Sequence, residues 1–242
     1  MHKVKRAIIM AAGMGKRLLP LTLQTPKPLI KVNGITMIES LINGFHENGI
    51  FDIYIVVGYR KEAFEFLVDK YKGVTLIENP YYKTCNNISS LYVAREYLED
   101  VIIADGDQVI CNSKVLESDF EHSGYNSVWV EHKTDEWLQC VKEGRVTACS
   151  RTGGTYGWQL YSISRWTAQD GERLRKHLEY EFEVRKNRQI YWDDVVMFCH
   201  FEEYELGIYK MQENDVKEID SLQELVMIDK AYKQYLGDSD GE

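Results

Sequence analysis

Two basic side chains follow a pair of glycines directly after the first apolar run of the chain, an arrangement suited to holding a phosphate group. Residues 7–10 are apolar and predict a buried strand, and Gly13, Gly15, Lys16 and Arg17 come next. Glycines let a backbone approach a phosphate closely, and basic side chains add charge-assisted donors. The candidate phosphate-binding residues of this loop are Ala11, Ala12, Gly13, Met14, Gly15 and Lys16.

The loop differs from two widespread nucleotide-binding loops. Met10 stands where a Walker A motif has its first glycine, and neither Ser nor Thr follows Lys16. Leu18 stands where the dinucleotide-binding motif has its third glycine. Taken alone, the loop is therefore equally consistent with a strand-to-helix turn that happens to be basic.

The charge of the chain is unevenly distributed. The 242 residues include 29 Lys and Arg and 38 Asp and Glu, for a net charge of −9, yet residues 1–38 hold seven basic residues and no acid. An acidic chain argues against nucleic acid or an anionic membrane as the main partner. The local basic block instead predicts a small anion bound near the N-terminal end.

A longer motif surrounds the loop. Residues 13–22 read G-M-G-K-R-L-L-P-L-T and residues 26–29 read P-K-P-L. This pattern resembles the signature of nucleotidyltransferases that activate sugar phosphates and related compounds. The resemblance implies that the loop binds a nucleotide and that Arg17 and Lys27 act on its triphosphate. Joining two phosphates needs such cations, because they offset charge repulsion and stabilise the departing pyrophosphate.

Carboxylates that could hold a metal ion occur in three places. Asp105, Gly106 and Asp107 follow an apolar run at 101–104, where open α/β sheets place their ligands. Mg²⁺ prefers oxygen ligands and needs few from the protein, so we expect Asp107 to bind it and Asp105 and Gly106 to contact the nucleotide. For the second ligand we favour Asp193 and keep Asp220 as the alternative, since Asp220 could instead cap the last helix.

A polar segment, residues 86–91, precedes the third predicted helix. The amides and hydroxyls of Asn86, Asn87, Ser89 and Ser90 can recognise a pyrimidine edge, or they can cap the helix. The pattern N-N-x-x-S-L, followed later by Y-W-D, resembles the bacterial CTP:phosphocholine cytidylyltransferases. The resemblance extends from residue 5 to residue 236 and implies CTP as donor, Mg²⁺ as cofactor and a small phospho-compound as acceptor.

Aromatic residues in the second half of the chain are interspersed with acids. An ammonium group binds well between aromatic faces and carboxylates, although such aromatics are also common in cores. The candidate acceptor-binding residues are Trp137, Tyr191, Trp192 and Glu131, and Trp158 could contribute. Related cytidylyltransferases act on 2-aminoethylphosphonate, and this chain has Ser89 where the phosphocholine enzymes more often have Tyr. The sequence leaves open which of the two amines is the acceptor.

The elements that must position these residues alternate along the first half of the chain. Apolar runs at 7–10, 53–57, 74–77 and 101–104 alternate with helical patterns, which predicts an α/β, Rossmann-like fold. Its central sheet should be mixed but mainly parallel and flanked by helices. Later strands are expected at 127–130, 145–148 and 159–162, and helices at 89–98, 167–181 and 221–236. We expect one domain, 1–236, and a polar tail or start of a linker at 237–242.

The cysteines, the histidines and the apolar stretches of the sequence argue against several other classes of protein. The five scattered cysteines form no C-x-x-C pair, the six histidines show no zinc-site spacing, and no apolar stretch is long enough for a membrane span. We therefore expect a cytoplasmic protein with reduced thiols. A sugar-1-phosphate nucleotidyltransferase and a non-catalytic nucleotide-binding regulator remain the alternatives, and the oligomeric state stays open.

Overall fold

The computed structural model describes residues 1–236, so the predicted polar tail at 237–242 lies outside the described residues. The strands are β1 His2–Lys3, β2 Arg6–Ala11, β3 Lys31–Val32, β4 Ile35–Thr36, β5 Asp52–Val57, β6 Val74–Glu78, β7 Val101–Asp105, β8 Gln108–Ile110, β9 Asp119–Phe120, β10 Gly124–Val130, β11 Leu138–Lys142, β12 Arg145–Ser150, β13 Gly157–Trp166, β14 Gly207–Lys210 and β15 Val216–Glu218. The α-helices are α1 Met37–Glu47, α2 Phe66–Lys70, α3 Ile88–Val93, α4 Ala168–Glu179, α5 Trp192–Asp194 and α6 Leu222–Ile228.

A nine-stranded sheet forms the centre of the molecule. Its order is β10-β14-β12-β11-β13-β7-β2-β5-β6. Strands β7, β2, β5 and β6 are parallel, as the alternating first half of the sequence predicted. Strand β13 pairs antiparallel with β7 and joins the second half of the chain to this parallel part. The prediction of a mixed α/β sheet is confirmed. The half that carries the glycine loop is parallel, and the strands on the other side of β7 pair mainly antiparallel.

The parallel strands end together at one edge of the sheet. Strand β2 leads into the glycine loop and β7 into the Asp105–Asp107 turn, where the Gly106 N–H donates to the Met10 carbonyl at 2.9 Å. At the end of β5, the N–H of Tyr59 donates to the Ala12 carbonyl at 3.0 Å. Ligands of open α/β sheets bind at this edge, and the sheet brings the glycine loop and the Asp105–Asp107 turn together there.

Two layers of apolar side chains cover the sheet. On one face α1 buries Ile38, Leu41, Ile42 and Phe45, whose spacing in the sequence is that of one helix face. On the other face α3 and α4 pack against β7 and β13. A smaller cluster joins Leu18 of the glycine-loop segment to Leu225 of α6. The N-terminal motif and the last helix are thereby held against each other.

The structure differs from the predicted elements where polar groups interrupt a periodic pattern. The helix expected at 221–236 stops at Ile228, because the Asp229 carboxylate accepts the N–H of Ala231 and begins a separate 3₁₀ turn. The helix expected at 89–98 likewise ends at Val93 and continues as a 3₁₀ turn. Among the described residues, no helix is long and apolar enough to cross a membrane.

Packing between α4 and the chain before β7 leaves no room for a side chain at Gly171, where a Cβ atom would lie 1.8 Å from the Leu98 carbonyl oxygen. We expect Gly171→Ala to lower the free energy of unfolding by roughly 2–3 kcal/mol, as overpacking does. Thermal melting should show a midpoint about 5–10 °C lower. The exposed neighbour Gln169→Ala is the control and should melt like the wild type; an equal midpoint for both variants would contradict this packing.

Candidate active site

The ammonium group of Lys27 lies at the centre of the candidate site. Its Nζ donates to Asp107 Oδ2 at 2.6 Å and to Asp220 Oδ1 at 2.9 Å, and its side chain is only 8% exposed. Arg17 also donates to Asp220, at 2.7 Å. Burial lowers the pKa of Lys27, but the two carboxylates outweigh that effect and raise the pKa above its ordinary value. The Lys27 side chain therefore stays positively charged, and it links two segments of the chain that are 113 residues apart in the sequence.

The glycine loop forms one side of a cavity of about 340 Å³. Gly15 has φ +65°, and a Cβ atom there would lie 2.7 Å from Lys27 Cβ, so the loop needs glycine to pack against Lys27. Of the predicted residues, those that line the cavity are Ala11, Ala12, Gly13, Gly15, Lys16, Arg17, Lys27, Asn87, Ser90, Asp105 and Asp107. The structure thus brings the basic residues and the polar segment to one place.

Four residues predicted to contact the nucleotide do not line this cavity. Ser89 is 1% exposed, and its hydroxyl donates to the Asn86 carbonyl and accepts from Asn79. The Asn86 amide donates to the Gln189 carbonyl. Met14 is partly exposed and Gly106 packs against Pro28, both outside the lining. Ser89 and Asn86 instead make local hydrogen bonds at the start of α3. The alternative role of this segment, capping of the helix by a side chain, is not observed, because Asn87 is the N-cap residue and its side chain makes no capping hydrogen bond.

A second cavity of about 280 Å³ adjoins the first and shares Arg17, Asn87, Asp105 and Asp107 with it. Its wall is strongly acidic, and among the described residues that line it Arg17 is the single basic one. The carboxylates of the wall are Asp105, Asp107, Glu136, Asp193, Glu218 and Asp220. Six acids around so small a space favour a cationic ligand.

The pKa values of these acids reflect their crowding. Burial and then the charge of Asp107 raise the pKa of Asp105 well above its ordinary value. Burial also raises the pKa of Asp193 to about 7 and that of Glu218 to about 8. Asp193 Oδ1 has no hydrogen-bond partner among the described residues. A cation entering the cavity would favour the ionised carboxylates.

Two of the predicted aromatic residues line the acidic cavity. Trp137 and Tyr191 meet edge to face at 6.1 Å. Trp192 is 1% exposed and stacks on Tyr125 in the core, so this placement argues against the expected contact between Trp192 and the acceptor. Trp158 packs against Trp129 and Lys210, away from the cavity lining.

Glu131, another expected acceptor contact, is exposed and accepts from Trp129 Nε1 at 2.9 Å. It lies just beyond the end of β10, outside the cavity lining. This position also argues against a contact between Glu131 and the acceptor.

Backbone hydrogen bonds fix the turn that presents Tyr191 and Asp193. The Asn87 side-chain oxygen accepts the N–H of Trp192 at 2.9 Å, which links the start of α3 to the start of α5. The Asp194 carboxylate accepts the N–H of Tyr191 and pairs with Arg151 at 2.6 Å. Asp194 therefore orients the turn, while its neighbour Asp193 lines the cavity.

The segment before α6 leaves Asp220 free for the site. Ser221 caps α6 by accepting the N–H of Glu224, and the Glu224 carboxylate accepts the N–H groups of Asp220 and Ser221. The capping function thus belongs to Ser221, and the Asp220 carboxylate is available to Lys27 and Arg17.

Comparisons with known proteins identify the family of this chain. The model of the MobA-like NTP transferase domain matches residues 7–179, which include the glycine loop, Lys27 and the Asp105–Asp107 turn. The chain belongs to this nucleotidyltransferase family. It is accordingly an enzyme of the class whose motif the N-terminal segment resembled.

Cytidylyltransferases are among the relatives that are similar to this chain over nearly its whole length. The chain is 37% identical over 229 residues to a 2-aminoethylphosphonate cytidylyltransferase of Lancefieldella rimae, covering 93% of this chain and 92% of that protein. It is 33% identical to a choline-phosphate cytidylyltransferase of Streptococcus pneumoniae, covering 94% and 98%. The solved structure of the CTP:phosphocholine cytidylyltransferase from Streptococcus pneumoniae superimposes with a TM-score of 0.88 at 34% identity, covering 95% of this chain and 99% of that one.

This nucleotidyltransferase also has cavity residues that the sequence alone did not assign. Glu218 and Ser162 line the acidic cavity although neither was a candidate. Glu218 is placed there because β15 pairs with β8, which sets Glu218 opposite Gln108, the residue after Asp107. Pairing between strands over a hundred residues apart has no local signal, so periodicity could not have identified it.

The raised pKa of Glu218 predicts how the free energy of unfolding changes with pH. The folded state retains a proton that the unfolded chain has released above about pH 5, so the stability of the ligand-free protein should fall as the pH rises from about 5 to 8. Glu218→Gln keeps the acceptor for the Gln108 amide but cannot ionise. We expect this variant to be the more stable protein at pH 8, by about 1 kcal/mol or more, and to show a flatter pH profile.

Urea unfolding at pH 5.5 and pH 8 measures the difference. Glu47→Gln, at an exposed position of α1, should leave the pH profile unchanged. A Glu218→Gln variant that loses stability between these pH values as steeply as the wild type would contradict the assignment of the proton to Glu218.

Proposed function

We propose that this enzyme transfers CMP from CTP to a small amine-bearing phosphate or phosphonate and releases pyrophosphate. The observation that carries the proposal is the junction of two cavities of opposite character at Asp107. One cavity has a glycine loop and the cations Lys16, Arg17 and Lys27, and the other has six carboxylates and an aromatic pair. The phosphocholine and 2-aminoethylphosphonate specificities of the relatives support the choice of donor and acceptor.

The basic cavity would hold the triphosphate. N–H groups of the glycine loop and the side chains of Lys16 and Arg17 offer donors to phosphate oxygens, and Asn87 and Ser90 face the same space for the nucleoside. Lys27 lies between this cavity and the acidic one, so it would offset charge as the acceptor oxygen approaches the α-phosphorus.

A divalent metal is typical of NTP transferases, and we propose Mg²⁺ held by Asp107 and Asp220. Both carboxylates share the ammonium of Lys27, so they converge on one point beside the triphosphate cavity. This oxygen donor set is the kind that Mg²⁺ prefers. When bound, the ion would supply positive charge to the phosphates. Asp193 belongs to the turn of Tyr191, which suits it better to the acceptor amine than to the metal.

The acceptor would place its ammonium group against Trp137 and Tyr191 and among the carboxylates of Glu136 and Asp193. Its phosphate or phosphonate end would then point to the shared wall at Asp107. The acceptor oxygen is already anionic, so its in-line attack on the α-phosphorus needs no nucleophile from the protein. Positioning and charge stabilisation are the contributions of the enzyme.

The alternatives fit the cavities less well. A hexose phosphate carries no positive charge to satisfy six carboxylates, which disfavours a sugar-1-phosphate nucleotidyltransferase. A regulator that only binds nucleotide would not need Lys27 and Asp107 in a bridging pair. We also propose that the enzyme works in the cytoplasm, and the five free thiols of its cysteines support a reducing compartment.

The direct test is pyrophosphate release measured with each of the four nucleoside triphosphates against phosphocholine, 2-aminoethylphosphonate and glucose-1-phosphate. We expect turnover with CTP and at least one of the two amines, and kcat/KM at least about 100-fold lower with the other triphosphates or the sugar phosphate. A discrimination of that size corresponds to roughly 3 kcal/mol of transition-state binding. Activity only with glucose-1-phosphate, or tight CTP binding with no release of pyrophosphate, would contradict the proposal.

The metal assignment makes a separate prediction. Asp220→Asn should raise the Mg²⁺ concentration needed for half-maximal rate and lower kcat/KM by about 10²–10³-fold, the usual cost of losing one contact to transition-state charge. Asp193→Asn should instead raise KM for the amine acceptor and leave the Mg²⁺ dependence unchanged. The exposed Glu213→Gln is the control. A Mg²⁺ dependence that shifts in Asp193→Asn but not in Asp220→Asn would reverse the assignment.

A further inference from the structure

A second polar cluster lies outside both cavities, at the C-terminal part of α4. His177 of α4 meets His200 and Glu203, which belong to the turn that follows the π-helical segment Val195–Cys199. We infer that His177, His200 and Glu203 form a binding site for a divalent transition-metal ion, with zinc as the chemical class that fits best. This site is separate from the proposed Mg²⁺ site because none of the three residues lines either cavity.

The spacing of the ligand atoms fits such an ion. One ligand atom from each residue can be chosen so that all three lie within 4.8 Å of one another. His177 Nε2 is 3.3 Å from Glu203 Oε2, and His200 Nδ1 is 3.2 Å from Glu203 Oε1. Tetrahedral zinc with bonds of about 2.0–2.1 Å separates its ligand atoms by roughly 3.3 Å. Each imidazole thus has a nitrogen at ligand separation from an oxygen of the Glu203 carboxylate.

The hydrogen bonds around the two rings leave a place for a cation. His200 Nε2 is 3.0 Å from the buried Glu181 carboxylate, to which it must donate. In a neutral ring, His200 Nδ1 then carries a lone pair, yet it faces the Glu203 carboxylate, another acceptor. Two acceptors in contact need a positive charge between them, and either a second proton or a metal ion can supply it.

The outer contacts are those expected around metal-binding histidines. Such histidines usually donate their other ring N–H to a carboxylate or another oxygen, which fixes the tautomer. Glu181 is fully buried, is held by the Asn187 amide at 3.0 Å and takes this role for His200. Tyr204 Oη lies 2.8 Å from His177 Nδ1 and can take it for His177.

The donor set also selects the kind of ion. Two imidazoles and one carboxylate suit zinc, cobalt or nickel, whereas Mg²⁺ and Ca²⁺ prefer oxygen ligands. The histidine rings stack at 3.8 Å and 9° in the structure, so metal binding would tilt them apart for both lone pairs to reach one ion. Sequence spacing could not reveal this site, because His177 is on α4 and the other two ligands form an H-x-x-E turn 23 residues further on.

The site would have a structural consequence. His200 closes the segment that begins with the Tyr191 turn, and its N–H donates to the Val195 carbonyl. A metal ion bridging His177 and His200 would tie α4 to this segment, whose other end forms a wall of the acidic cavity. Binding should therefore stabilise the fold, which can be measured without any assay of activity.

The test is a titration of chelator-treated enzyme with Co²⁺ in excess Mg²⁺ and without nucleotide. We expect one equivalent to give the intense visible absorption of tetrahedral Co²⁺, displaced by Zn²⁺, and Zn²⁺ to raise the melting midpoint. His177→Ala and His200→Ala should each weaken Co²⁺ binding by more than the 10–100-fold that loss of an outer partner costs. Glu203→Gln, at a side chain that is 54% exposed, should weaken it at least about 10-fold.

The exposed His132→Ala is the matched control and should bind Co²⁺ as the wild type does. Absence of tetrahedral absorption in the wild type would overturn the inference. Equal Co²⁺ affinity of Glu203→Gln and the wild type would overturn it as well, even if the alanine variants fail to fold.

Discussion

The bridge from Lys27 to Asp107 and Asp220 is the interaction on which the site depends. It joins the N-terminal motif, the end of the central strand β7 and the segment before α6 at a single ammonium group. Lys27 can stay charged while buried because two carboxylates face it, and those carboxylates can lie close together because Lys27 separates them. The carboxylates therefore stabilise the buried ammonium group, and the ammonium group stabilises the close approach of the two carboxylates.

The same balance explains the contrast between the two cavities. Cations are concentrated where a triphosphate would lie, and carboxylates where an amine would lie, with the bridge on the boundary. Burial raises the pKa of Asp193 to about 7 and that of Glu218 to about 8, which favours proton binding at these two residues of the acidic wall. The anionic triphosphate would offset the repulsion among the cations of one cavity. The ammonium group of the acceptor would offset the repulsion among the carboxylates of the other.

Much of this organisation could be predicted from local sequence. The glycine loop and Asp107 follow strand ends, and the edge of a parallel sheet brings such ends together without further information. Lys27 lies in a 3₁₀ turn outside this sheet, and the resemblance to the nucleotidyltransferase motif identified it. Residues placed by long-range pairing could not be predicted, as Glu218 shows. Trp192 is a different case, since an aromatic residue beside carboxylates has the same local pattern in a cavity wall as in the core, where it stacks on Tyr125.

The most direct test of the account is to locate the metal ion in a crystal structure of the enzyme with CTP bound. Crystals grown with CTP and Mn²⁺ in place of Mg²⁺ would locate the ion by its anomalous scattering. The account predicts a peak within coordination distance of the carboxylates of both Asp107 and Asp220, with Lys27 Nζ moved onto a phosphate oxygen. A peak at Asp193, with Lys27 still bridging Asp107 and Asp220, would contradict it.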